Sequence, residues 1–297
     1  MKIINHSLDP KDHESVARMR NFAAMRKGGF DRASYDQIVE QTPNAPDVAY
    51  QEGKVGGVAG WWCLPKGVDK SAAILYLHGG GYILGSAKAY RNFAGQIATH
   101  AGVAAFAVDY RLAPEHTFPA AVDDSVAAFQ GLSQDFASVA VVGDSAGGGL
   151  ALALAESKLA KRPAAVVLLS PMTDLALTGE TVTSNAVADF ILNKVALAAA
   201  ASQYLGPNDV RDPRASPLYG DLTGLPPISI HVGEDEILLD DSRRFAERAG
   251  GDITLHVWEG MPHVFPQSVG VLVAAEEALV DMGTFIYEHA NRRSQSG

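Results

Sequence analysis

Long hydrophobic runs are missing from this sequence. The longest bland one, VALAAAASQYL at 195–205, is too short and too rich in alanine to span a bilayer, so no stable membrane insertion is expected. The N-terminal stretch MKIINHSLDPKDHESVARMR carries charges throughout and no uninterrupted apolar segment, which argues against export through a retained signal and for a cytoplasmic protein. Cysteine is nearly absent too. Cys63 stands alone, so no intramolecular disulfide can form, and its place in GWWCLP marks it as a small buried apolar residue. Basic clusters are also lacking: 24 Lys and Arg face 34 Asp and Glu, for a net charge of −10. A nucleic-acid partner is therefore not expected, because phosphate binding needs a basic surface. There is no repeat of fixed period and no low-complexity linker.

What remains is a chain of 297 residues, 47% hydrophobic and 20% charged, the composition of a soluble enzyme with one large core and an added lobe. Short apolar runs predict strands: AAILYL at 72–77, VAAFAV at 103–108, VAVV at 139–142, AAVVLL at 164–169, ISIHV at 228–232 and ITLHVW at 253–258. Most are continuous rather than alternating, as in strands buried on both faces. Helical patterns separate them, such as AYRNFAGQIATHAG, PAAVDDSVAAFQGL, GGGLALALAESKLAK and DDSRRFAERAG. This alternation predicts an α/β fold with a mostly parallel central sheet and helices on both faces. Before it, VAYQEGKVGGVAGWWCLP reads as a hairpin turning at Gly56-Gly57, so the sheet should start antiparallel. Two segments fall outside the rhythm. Residues 1–45 carry two amphipathic helical patterns, and residues about 175–212 insert a helix, AVADFILNKVALAAAASQYL, into the core of 46–297. Both are expected to form a helical cap over one end of the sheet.

The stretch VVGDSAGGGL at 141–150 places a serine between a strand and a helix as G-x-S-x-G. A strand-to-helix turn that holds its serine outward crowds the positions two before and two after, and Gly143 and Gly147 occupy them. The turn also sets Ser145 at a helix N-terminus, where backbone amides favour developing negative charge. A phosphate loop would need a Lys-Ser/Thr that is missing here. Asp144 has no role that the sequence explains.

A serine nucleophile needs an oxyanion site, a base and an orienting acid. LHGGGYILG at 77–85 follows a strand and offers backbone amides without β-carbons; Gly80 and Gly81, with the amide of Ala146, are the candidate oxyanion donors. A dinucleotide loop, which Asp109 would suit, fails because Leu84 stands where G-x-G-x-x-G needs glycine. His78 is read as bracing this loop. Among the other histidines, His231 and His256 lie within strands, and His6, His13, His100, His116 and His289 have no chemistry beside them. His263, in EGMPHVFPQ after the last strand, is the candidate base. No histidine pair has the spacing of a metal hydrolase, so neither a metal nor another cofactor is expected. The acid should follow strand ISIHV, where Glu234, Asp235 and Glu236 are consecutive; Asp235 is preferred, with Glu234 and Glu236 as alternatives. Asp240 and Asp241 suit the first turn of the next helix better.

HGGGY at 78–82, YRLAPEHTFPAA at 110–121, GDSAGG at 143–148, SPL at 216–218, GLPP at 224–227, GEDEIL at 233–238 and GMPHVF at 260–265 together resemble the hormone-sensitive-lipase-like branch of the α/β-hydrolases, over residues about 60–290. The resemblance implies an α/β-hydrolase fold with a helical cap and a cofactor-free serine carboxylesterase. Ser145 would be nucleophile, His263 base and Asp235 acid, with Gly80, Gly81 and Ala146 forming the oxyanion hole. The chain departs from the family at Gly149, where many members have asparagine, and at Glu236, where they have proline after the acid; neither position is expected to carry chemistry. A small-molecule ester is the implied substrate, short to medium in its acyl chain, with a lactone or amide as alternatives. Phe22, Phe30, Tyr82, Phe190, Ile191 and Leu192 are candidate pocket residues. Some relatives of the same fold are non-catalytic ligand receptors, but those lack the histidine that His263 supplies. Family members often pair through an edge strand or the C-terminal helix, which leaves a homodimer open.

Overall fold

The computed structural model describes residues 1–25 and 28–292. Among the described residues nine strands form one sheet: β1 (Lys2–His6), β2 (Val48–Val55), β3 (Val58–Pro65), β4 (Asp69–Leu77), β5 (Val103–Val108), β6 (Ser138–Asp144), β7 (Val166–Leu169), β8 (Ile228–Gly233) and β9 (Ile253–Trp258). Their spatial order is β1-β9-β8-β7-β6-β4-β5-β3-β2. β2 and β3 are an antiparallel hairpin that pairs Val55 with Val58 across Gly56-Gly57. Both turn glycines have positive φ, 58° and 84°, as a tight two-residue turn demands. β3 pairs antiparallel with β5, and the remaining neighbours pair in parallel.

The helices are α1 (Pro10–Met25), α2 (Arg32–Val39), α3 (Ala87–Ala101), α4 (Ala120–Asp135), α5 (Ala146–Glu156), α6 (Thr181–Ser184), α7 (Lys194–Leu205), α8 (Leu239–Ala249) and α9 (Val273–Arg292). Successive strand residues face opposite sides, and both sides are dry. Leu75 and Leu77 of β4 join one apolar cluster with Phe129 of α4, Leu150 of α5 and Phe245 of α8. Ile74 and Tyr76 join the other, with Phe93 of α3 and Leu279 and Met282 of α9. This two-sided burial is why the strands read as continuous apolar runs.

Two expectations are corrected. The first 45 residues contain a strand before their two helices: β1 runs parallel to β9 and pairs Lys2 with Thr254 through His6 with Trp258. It lies at the sheet's edge and is only partly covered, so its apolar pattern is weak. The inserted helix is also shorter than the run 186–205 suggests. The Asp189 carboxylate accepts the amides of Ile191 and Leu192, both at 2.8 Å, and Asn193 caps α7 by accepting from Ala196 at 2.9 Å. Side chains that bond nearby backbone compete with helix, and here they delay its start to Lys194.

α1 is tied to α9 through one buried carboxylate. Asp12 accepts the amides of Val273 at 2.8 Å and Ala274 at 3.0 Å, two of the unsatisfied donors at the N-terminus of α9. Asp12→Ala should therefore lower unfolding stability by about 1–2 kcal/mol in urea denaturation with an unchanged slope. A midpoint equal to that of the parent protein would show that this cap contributes nothing.

Candidate active site

β6 delivers its last residues straight into α5, and Ser145 sits at the junction with φ 53° and ψ −117°. That backbone is strained for a residue with a side chain, at a cost on the order of 1–3 kcal/mol. Close packing enforces it. A β-carbon on Gly143 would stand 2.2 Å from the carbonyl oxygen of Gly147, and one on Gly147 would stand 2.0 Å from that of Leu77. At Gly149, the family departure, a β-carbon would meet the Met172 carbonyl oxygen and the Tyr82 hydroxyl, both at 2.6 Å. The Ser145 amide donates to Leu169 at 2.8 Å, and its carbonyl accepts from Met172 at 3.0 Å. Its hydroxyl caps no amide of α5.

That hydroxyl faces His263, whose Nε2 is 3.0 Å from Ser145 Oγ. On the ring's other side Nδ1 is 2.8 Å from Oε2 of Glu236. An ionised carboxylate only accepts, so Nδ1 carries the proton and Nε2 offers a lone pair to the serine. Burial works against a charged imidazole here, but the Glu236 carboxylate and its hydrogen bond outweigh it and hold the His263 pKa above the usual histidine value. Ser145 so placed can pass its proton to His263 as its oxygen attacks.

The acid facing His263 is thus Glu236, and the preference for Asp235 is corrected. Glu236 is fully buried. Its Oε1 accepts the Gly233 amide and the Ser170 hydroxyl, both at 2.7 Å, and Ser170 Oγ in turn accepts the amide of Val264, next to His263, at 3.0 Å. Asp235 points elsewhere, with Oδ2 3.2 Å from Arg20 on α1 and its side chain 30% exposed. Glu236, a position expected to carry no chemistry, is thus the one in contact with the imidazole. The residues after it, Ile237, Leu238 and Leu239, are buried, so the loop turns inward at Glu236. Asp240 and Asp241 do lie in the first turn of α8, yet they bond the 173–181 segment: Asp241 accepts from Thr173 at 2.7 Å and Asp174 at 2.9 Å, and Asp240 from Thr181 at 3.1 Å.

Asp144 also acquires a role. Its buried carboxylate accepts the Gly79 amide at 2.9 Å, the Tyr76 hydroxyl at 2.6 Å and the Tyr90 hydroxyl at 3.4 Å, which joins the serine turn to the glycine loop. Burial lifts its pKa to about 6 despite these donors. In the same loop Gly80 and Gly81 have φ of 109° and 61°. His78 braces it: Nδ1 is 2.7 Å from the Gly79 carbonyl, the ring stacks on Tyr110 at 4.2 Å, and burial lowers its pKa to about 4.

The candidate pocket residues lie in different surroundings. Tyr82 is 1% exposed, its ring packed on Tyr204 of α7 at 3.8 Å rather than turned to an opening. Phe22 and Ile191 are exposed, and Phe30 lies edge-on to Tyr35. Phe190 sits under the Arg20 guanidinium at 4.7 Å, and Leu192 packs on the core. A cavity of about 340 Å³ lies between α7 and the 175–177 segment and is lined by none of these six residues.

A family model described as alpha/beta hydrolase fold matches residues 74–267, which hold Ser145, Glu236 and His263. The chain belongs to the α/β-hydrolases. An acetyl-hydrolase of Streptomyces hygroscopicus is 38% identical to this α/β-hydrolase over 86% of the chain and 88% of its own length. An esterase of Acinetobacter venetianus is 35% identical over 86% and 87%. A solved esterase from the bacterial hormone-sensitive lipase family superposes with a TM-score of 0.88 at 37% identity, covering 95% of this chain and 99% of that one. The hydrolase falls in the hormone-sensitive-lipase-like branch.

The geometry separates the two adjacent acids experimentally. Glu236→Gln should slow phosphonylation of Ser145 by a fluorophosphonate about a thousandfold, whereas Asp235→Asn should change it by less than about threefold. The reaction needs neutral His263, so its rate rises as pH climbs through the histidine pKa. Removing the carboxylate charge moves that rise to lower pH in Glu236→Gln. If Asp235→Asn alone produced the slowing, the pairing with Glu236 would be irrelevant to reactivity.

Proposed function

We propose that the protein is a serine carboxylesterase acting on short to medium acyl esters through Ser145, His263 and Glu236. One observation carries the reading: a single buried imidazole bridges the serine hydroxyl and a fully buried carboxylate. The esterase and acetyl-hydrolase relatives support it.

Ser145 Oγ attacks the ester carbonyl while His263 Nε2 takes its proton, and Glu236 stabilises the imidazolium through Nδ1. The carbonyl oxygen becomes an oxyanion, for which the amides of Gly80, Gly81 and Ala146 are the proposed donors, each worth roughly a hundred- to a thousandfold in rate. Their placement is supported by the Asp144 bond to Gly79 and by the packing of Gly147 on Leu77 and His78. The alcohol leaves with the proton from His263. A water then attacks the acyl-enzyme by the same route and releases the acid.

We propose as well that α1, α2 and the 175–212 segment form a cap. Arg20 binds the Ala188 carbonyl and Asp235, Arg32 binds the carbonyls of Ile83 and Ala113, and Ala200 of α7 lies against Gly81. An alanine-rich helix this close to the glycine loop favours a small acyl group. A cytoplasmic setting is proposed from the lone, fully buried Cys63; among the described residues no helix is long and apolar enough to cross a membrane.

Hydrolysis of p-nitrophenyl butyrate should exceed that of the palmitate by at least about tenfold in kcat/KM. Ser145→Ala should keep the circular dichroism of the parent and lose turnover by a thousandfold or more, on the order seen for other serine hydrolases. Faster opening of ε-caprolactone than butyrate hydrolysis would move the reading to a lactone hydrolase.

A further inference from the structure

The two ends of the fold bring together a cluster that the serine site does not use. His6 of β1, His256 of β9 and Asp281 of α9 each offer a ligand atom, all within 4.8 Å of one another. His6 Nε2 lies 2.9 Å from His256 Nδ1, which lies 3.8 Å from Asp281 Oδ2. The rings are held in place from outside. His6 stacks on Trp258 at 3.6 Å, and His256 stacks on His231 at 4.3 Å. A cavity of about 400 Å³ opens beside them, lined by His6, Trp258, Glu276, Glu277, Val280 and Asp281.

We propose that His6, His256 and Asp281 bind a divalent transition ion of the zinc class. Two imidazole nitrogens and one carboxylate oxygen suit zinc or nickel, whereas magnesium and calcium want oxygen donors in larger number. Bond lengths of about 2.0–2.2 Å set tetrahedral ligands about 3.3–3.5 Å apart. The imidazoles need open by only a few tenths of an ångström, and the Asp281 side chain, 43% exposed, is free to close in. The present hydrogen bond between the rings holds one proton between His6 Nε2 and His256 Nδ1. Moving it to the other nitrogen of its own ring frees both lone pairs, so coordination changes no net charge on the imidazoles. Glu277 stands one helical turn before Asp281 and lines the same cavity, where it can accept from a metal-bound water. Chain spacing gave no hint of this, because His6 and His256 are 250 residues apart.

The bound ion would join the edge strand β1 to both β9 and α9, and binding to the folded state alone raises its stability. Tag-free protein stripped with EDTA and titrated calorimetrically with Zn²⁺ should bind one ion per chain and melt at a higher temperature, while Mg²⁺ does neither. His6→Gln and Asp281→Asn should each weaken zinc binding by at least about tenfold and abolish the rise in Tm. Metal-free kcat/KM on p-nitrophenyl butyrate should stay unchanged in both variants. The site is refuted by a parent protein with no stoichiometric zinc binding, or by binding that survives both substitutions.

Discussion

The close approach of β6, α5 and β4 at Ser145 is the constraint on which the rest of this site depends. Gly143 and Gly147 let three backbone segments pass within contact, and the residue between them is left in a conformation it would not choose alone. The same contact aligns three things. It aims the serine hydroxyl away from its own helix, leaves the first amide of α5 without an intrahelical acceptor, and sets the glycine loop beside that amide. A relaxed turn would lose all of these together, so the strain is part of the arrangement rather than a defect in it.

Buried carboxylates then carry the organisation outward. Glu236, Asp144, Asp241 and Asp12 are all removed from water, a situation tolerable only when donors replace the solvent. Each has at least two such donors, and in each case at least one comes from a distant part of the chain. Burial alone pushes such groups toward their neutral forms, as the raised pKa of Asp144 and of Asp241, at about 7, illustrates. Glu236 serves two masters at once: one oxygen is anchored by Gly233 and Ser170, leaving the other for His263.

Much of this was legible in the residues themselves. Six core strands, the Gly56-Gly57 hairpin and the strand–turn–helix around Ser145 follow from apolar runs and glycine positions, because burial on both faces and steric crowding act locally. Choosing among Glu234, Asp235 and Glu236 does not. Three consecutive carboxylates are equivalent in composition, and only the loop's path, with Ile237 to Leu239 turned inward, decides which one reaches His263. Asp144 was equally silent, since its partners Tyr76, Gly79 and Tyr90 are brought near by the sheet and by α3 rather than by sequence neighbourhood. β1 escaped notice because an edge strand with half its residues exposed leaves little periodicity to read.

The pairing of β1 with β9 also has a consequence for how the chain is made. Lys2 finds its neighbour only when Thr254 has been synthesised. At ordinary translation rates that is a wait of roughly ten to fifty seconds. Throughout it the residues of β1 lack the strand they pair with. This edge of the sheet therefore closes only once β9 has formed, however early β1 itself is made.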